Sequence, residues 1–239
     1  MLIGKRKKHS SSKGRQGSLK FDPYRTLPQL LLRNYKEYGD KRVAMREKDY
    51  GIWQCYTWKD FYEAVEALFY GLISIGVQAG DKVCIIGDNS PEYYWAELAV
   101  MSAQGVVVPV YSDALPDELR YIAAHSQSKF AFASDQEQVD KFLKIKDELP
   151  DISKIIYWEP KGVAQYADPL LLSMKSLMEQ GKKYQREQPS LFEQSVESSK
   201  LDDLAVLAYT SGTSGLTKGV MLTSELLAKG ALAIEQLSP

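Results

Sequence analysis

Leu204-Ala-Val-Leu-Ala-Tyr209-Thr-Ser-Gly-Thr-Ser-Gly-Leu-Thr-Lys218-Gly-Val220 is a short apolar run followed by a segment of small and hydroxylated residues that closes on a lysine. Leu204 to Ala208 has no polar interruption, which is the pattern of a buried strand. A buried strand that feeds a Gly/Ser/Thr loop wraps backbone N–H groups and hydroxyls around a chain of phosphates. Gly212, Gly215 and Gly219 permit positive φ and close approach of backbone to ligand. Thr210, Ser211, Thr213 and Ser214 supply hydroxyl donors, and Lys218 supplies a point charge for terminal phosphates. The candidate binding set is therefore Thr210, Ser211, Gly212, Thr213, Ser214, Gly215, Lys218 and Gly219, with Lys218 also the candidate catalytic group.

The spacing excludes a Walker A loop. That motif has four residues between its first Gly and Gly-Lys, with Ser or Thr after the lysine. Here Gly212-x-x-Gly215-x-x-Lys218 is followed by Gly219. The competing reading is a plain Gly/Ser linker, which rarely follows a buried strand and carries no lysine in register.

Upstream, apolar strands alternate with helical patterns. Leu27–Tyr38 reads as a helix with Pro28 in its first turn and Gly39 as its stop. Short strands are expected at 43–46 and 53–57 around a turn at 48–51. Thr57 caps a helix to about Ile75, with Thr57-x-x-Asp60 a variant capping box. Strands follow at 82–87, 106–111, 130–133 and 155–158, separated by helices over 91–105, 115–126 and 136–149. Residues 162–199 read as polar and irregular with one helix. Non-alternating strands interleaved with helices predict an α/β fold, a mostly parallel sheet flanked by helices. Ligands bind such sheets at the carboxyl ends of their strands, where the loop after Ala208 lies.

The composition narrows the function. Of 239 residues, 44% are hydrophobic and 26% charged, with net charge −1, so nothing favours a nucleic-acid partner. Cys55 and Cys84 have no metal-type spacing and read as reduced, buried or half-buried thiols. His9 and His125 sit in no cluster and receive no chemistry. No metal ligand is assigned. No apolar run reaches the roughly 18 residues that span a bilayer. Residues 1–20 carry Lys5-Arg-Lys-Lys8, Lys13 and Arg15. They read as a disordered basic arm, with weak contact with anionic membrane as its functional reading.

Tyr209 to Val220 resembles the phosphate-binding signature of the adenylate-forming superfamily, which includes acyl-CoA synthetases, luciferases and peptide-synthetase adenylation domains. Thr217 stands where that family usually has Pro, and Ser224-Glu-Leu226 departs from the long-chain pattern. The likeness extends through Arg46-x-Lys48-x-x-Gly51-x-Trp53-x-x-Tyr56-Thr57-Trp58, Gly80-Asp-Lys-Val83, Asn89-Ser-Pro-Glu92, Gly105-Val-Val-Val-Pro-Val-Tyr111 and Glu118 to His125. It spans about Leu27 to Leu237 and is most similar to the long-chain acyl-CoA synthetase branch.

The resemblance implies activation of a fatty acid by ATP through an acyl-adenylate, then thioester formation with coenzyme A. ATP, Mg2+ and CoA are the implied cofactors and co-substrates. The implied setting is cytoplasmic, at or near a membrane surface. Residues 21–239 are expected to form an incomplete AMP-binding N-terminal domain ending after the phosphate loop, inactive alone. Two alternatives stand beside this: an adenylating enzyme for another acid or a carrier-protein thiol, and a non-catalytic truncated binding module.

Overall fold

The computed structural model describes Asp22, residues 25–210 and residues 217–237. The basic arm expected at residues 1–20 lies outside these.

Helix α1 spans Leu27–Tyr38 and begins in a full capping box. The Thr26 N–H donates to Gln29 Oε1 (3.1 Å) and the Gln29 N–H to Thr26 Oγ1 (3.4 Å). Strands β1 (Val43–Asp49) and β2 (Ile52–Thr57) form a separate antiparallel hairpin. Its turn is Tyr50–Gly51, with φ of 44° and 85°. Two consecutive positive φ values make a tight two-residue turn, so the strands run longer than a turn at 48–51 would allow. Helix α2 (Trp58–Ser74) starts in the expected Thr57–Asp60 box, with Thr57 N–H to Asp60 Oδ2 at 2.8 Å.

The main sheet takes its strands in the order β7-β6-β5-β3-β4-β8-β9. These are β3 (Lys82–Ile86), β4 (Val106–Val110), β5 (Ser128–Ala133), β6 (Lys154–Tyr157), β7 (Leu171–Ser173), β8 (Leu204–Thr210) and β9 (Lys218–Thr223). All neighbours are parallel except β8 and β9. From β3 the chain passes through α3 (Pro91–Ser102) to β4, then through α4 (Pro116–Ser126) back across to β5. This reversal beside β3 is the doubly wound arrangement, which opens a crevice at the carboxyl ends of the strands.

Side-chain alternation divides the core. Val83 and Ile85 face one layer, built on α2, α3 and the helices after β7; Cys84 and Ile86 face the other, under α4 and α5 (Gln136–Ile145). Leu119, Ile122 and Ala123 seal α4 onto this second face. Burial pushes the Cys84 thiol up to about 12. Cys55, expected to be at least half-buried, is exposed on β2.

Residues 162–199 hold more structure than their polarity suggests: β7, then α6 (Met174–Glu187) and α7 (Leu191–Ser198). Helix α6 crosses α2 where two glycines meet. A Cβ on Gly181 would lie 2.6 Å from the Gly71 nitrogen, and one on Gly71 would lie 2.6 Å from the Leu177 carbonyl oxygen. The Tyr70 hydroxyl fixes the α6–α7 connection by donating to the Gln188 carbonyl at 2.8 Å. The helix expected to reach residue 149 ends at Ile145 and tightens into a 3-10 turn over Lys146–Glu148. Strand β9 has no counterpart in the sequence reading, and α8 (Ser224–Leu237) follows it. Among the described residues no helix is long and apolar enough to cross a membrane.

Candidate functional site at the carboxyl end of β8

Strand β8 is apolar because it lies inside the sheet, between β4 and β9. It ends with Tyr209 buried and Thr210 exposed. Strand β9 returns antiparallel, pairing Thr210 with Lys218 and Tyr209 with Gly219. Directly opposed residues in such a ladder have Cα atoms about 4.5–5.5 Å apart. The segment between β8 and β9 therefore leaves and returns at one point on the sheet. Ser211, Gly212, Thr213, Ser214 and Gly215 lie outside the described residues.

Lys218 is the first residue of a strand rather than the last of a loop. It is exposed, and among the described residues no ion pair engages it. An anion placed above the stem meets an uncompensated ammonium. Gly219 has a packing reason. A Cβ there would come within 2.9 Å of Leu207 Cδ1 and 3.4 Å of the Tyr209 ring, so its absence lets β9 run close over both.

Helix α4 reaches both ends of the stem. Tyr209 Oη lies 2.7 Å from His125 Nδ1, and the Tyr121 hydroxyl donates to the Thr217 carbonyl at 3.1 Å. The Tyr121 and His125 rings stack, with centroids 5.4 Å apart. Burial, with Tyr121 and Cys84 beside it, pushes the Tyr209 phenol up to about 12, so it keeps its proton at neutral pH. Among the described residues the buried Thr217 hydroxyl has no hydrogen-bond partner. His125, given no chemistry on sequence grounds, thus belongs to this constellation. The signal for it was the Tyr121–His125 spacing of one helical turn.

Beside the stem is a cavity of about 370 Å³ at the carboxyl ends of β3, β4 and β8, lined by Gly87, Asp88, Tyr93, Tyr111, Tyr209 and Thr210 among others. Asp88 accepts from the Ser112 hydroxyl at 2.7 Å. Lys141, paired with Glu137 at 3.0 Å, donates to the Ser112 carbonyl at 2.6 Å. Helix α5 is thereby tied to the cavity rim. A larger open groove of about 700 Å³ lies between β2, α2 and α6, with Cys55, Glu63 and Glu66 on its walls. It lacks the strand ends and backbone turns that receive phosphate, and no group of three metal-type ligands occurs among the described residues.

A family model described as AMP-binding enzyme matches residues 31–238. A long-chain-fatty-acid–CoA ligase of Xenopus laevis is 30% identical over 200 residues, covering 84% of this chain and 26% of the relative. One of Bos taurus is 27% identical over 212 residues, covering 87% and 28%. The chain thus spans about a quarter of the length of these relatives. Among solved structures, an anthranilate–CoA ligase bound to anthranoyl-AMP superposes with a TM-score of 0.69 at 19% identity, over 85% of this chain and 36% of the other, which is a likeness of fold. With the motif on the stem of β8 and β9 and the family matched over most of its length, the chain belongs to the AMP-binding enzymes.

Proposed function

We propose that this chain supplies the triphosphate-holding part of an AMP-forming acid–CoA ligase whose acid is a long-chain fatty acid. The observation that carries the reading is the Thr210–Lys218 pair. It brackets the Gly/Ser/Thr segment at the carboxyl end of a buried strand and presents there a lysine that no ion pair engages among the described residues. The choice of a long-chain fatty acid is supported by what the Xenopus and Bos relatives are named for.

Mg2+–ATP, the fatty acid and CoA are the substrates. A carboxylate oxygen attacks the α-phosphorus, the bond from that phosphorus to the bridging oxygen breaks, and pyrophosphate leaves. The CoA thiol then loses its proton to solvent, its sulfur bonds the acyl carbon, the bond from that carbon to the phosphate oxygen breaks, and AMP departs. A carboxylate is a poor acyl donor until its oxygen belongs to a phosphate leaving group, which is why ATP is needed. Lys218 and the hydroxyls of Thr210, Ser211, Thr213 and Ser214 hold the β- and γ-phosphates and offset the charge growing on pyrophosphate. Gly212 and Gly215 let backbone N–H groups reach the phosphates, and Gly219 keeps β9 seated beneath them. Residues 21–239 act as one partial AMP-binding domain, and the basic residues among 1–20 give it weak affinity for anionic lipid surfaces.

Titrating the 239-residue chain with Mg2+–ATP tests the phosphate half, and fatty-acid-dependent ATP–pyrophosphate exchange by a longer ligase carrying this segment tests the acid. Saturable nucleotide binding, and exchange that rises with acyl chain length, are expected. Absence of binding sinks the phosphate assignment; exchange driven only by short or amino acids sinks the fatty-acid one.

A further inference from the structure

Tyr121 and His125 stand one turn apart on α4, and each grips a different end of the stem. Tyr121 bonds the carbonyl of Thr217, the residue before Lys218. His125 bonds the side chain of Tyr209, the residue before Thr210. Either neutral tautomer of His125 sustains this bond, since the Tyr209 hydroxyl both donates and accepts.

Core packing accounts for the Tyr121 ring, but not for its hydroxyl contact or for His125. His125 is exposed and Tyr121 only half-buried, while Leu119, Ile122 and Ala123 already seal α4 on the sheet. An exposed histidine at 2.7 Å from a phenol, stacked on a tyrosine that reaches a backbone carbonyl, is a bracket between two elements. Each contact spans a long stretch of chain, 84 and 96 residues.

We infer that Tyr121 and His125 are positioning residues for a polyphosphate ligand, clamping the two ends of the stem so that Thr210 and Lys218 address it together. The inference rests on the phosphate reading above. Neither residue touches the ligand; they act through Tyr209 and Thr217.

The test uses the whole 239-residue chain with Tyr121→Phe, which deletes only a hydroxyl, His125→Ala, and His125→Asn, whose amide sits near the Nδ1 position. Without nucleotide, amide hydrogen exchange in the peptide spanning Thr217–Gly219 should quicken in Tyr121→Phe and His125→Ala, with β3 and β4 peptides unchanged. Mg2+–ATP affinity should fall about fivefold in each, the usual worth of one hydrogen bond, and His125→Asn should recover most of it. Unaltered exchange at Thr217–Gly219 in both variants overturns the clamp, whatever the nucleotide result. Faster exchange with wild-type affinity overturns the positioning role alone. Faster exchange in a chain that never binds Mg2+–ATP overturns the phosphate reading and the positioning role with it.

Discussion

Thr210 and Lys218 are direct partners across the β8–β9 ladder, although seven residues lie between them in the chain. The pairing brings the two ends of the Gly/Ser/Thr segment together. Tyr209 is buried one position earlier and Gly219 lies one position later, so the exposed pair sits on a packed foundation. The placement of Thr210 and Lys218 is set by backbone hydrogen bonds of a sheet, which hold geometry better than a free loop.

Lys218→Ala should weaken Mg2+–ATP binding by about 10- to 100-fold, the range for losing a charged hydrogen bond. Lys218→Arg should restore part of it, because the charge returns but the shape does not. Because Lys218 is exposed, stability should move by less than about 0.5 kcal/mol. Calorimetric titration at low and high salt checks both, since screening should shrink the difference. Equal affinity in wild type and alanine variant would place the phosphates elsewhere.

Thr217→Val should stabilise the fold. The Thr217 hydroxyl is buried with no partner among the described residues, and valine has the same shape without the polar atom. Removing an unsatisfied hydroxyl is worth about 1 kcal/mol or more. The Tyr121 bond is to the Thr217 carbonyl and survives the change. Urea denaturation of the two proteins decides it, and a destabilised valine variant would mean the hydroxyl has a partner in solution.

Gly181→Ala should destabilise, against helix propensity. Alanine favours a helix interior by about 0.5–1 kcal/mol over glycine. At this crossing the new methyl meets the backbone of α2, with the Gly71 nitrogen 2.6 Å away, and backbone cannot rotate aside. Overpacking of this kind costs about 1–3 kcal/mol, so the melting temperature should fall by several degrees. A melting temperature equal to or above wild type would mean that α6 slides freely on α2.

That same glycine shows where sequence and structure part company. The β3–α3–β4–α4–β5 run is legible because its strands are continuous apolar segments and its helices open on Ser90-Pro91 and Pro116. The buried strand that precedes the Gly/Ser/Thr segment is legible because Leu204 to Ala208 is an unbroken apolar run. Helix α6 is legible only as one helix without bounds within residues 162–199, since Met174–Glu187 is mostly charged or polar and carries a glycine mid-helix. Both features read locally as loop, yet the glycine is required by contact with a helix a hundred residues earlier. Strand β9 is hidden for a related reason: it pairs with β8 on one side only and leaves Met221 68% exposed, so its pattern lacks a buried strand's continuity. His125 is hidden because its partner, Tyr209, is 84 residues away.

Glu97 should make the fold lose stability as pH rises from about 5 to 8. It lines an apolar cavity of about 370 Å³ between α1 and α3, with Leu27, Leu30, Trp58, Phe61 and Met101 on the walls and Arg33 at its side. Burial lifts its carboxyl from the ordinary 4.5 to about 7. The folded state then holds a proton that the unfolded chain has released, so the unfolded chain gains relative to it as pH increases. The contribution is intact below about pH 4.5 and fully lost above about 7, amounting to about 1–3 kcal/mol. Glu47 and Glu66, whose carboxyls burial raises above their usual range, push the same way, so wild type alone is ambiguous. Glu97→Gln keeps the shape and removes the titration. The stability of Glu97→Gln relative to wild type should therefore be larger at pH 8 than at pH 5 in denaturant titrations. The same difference at both values would mean that the carboxyl is hydrated and titrates normally.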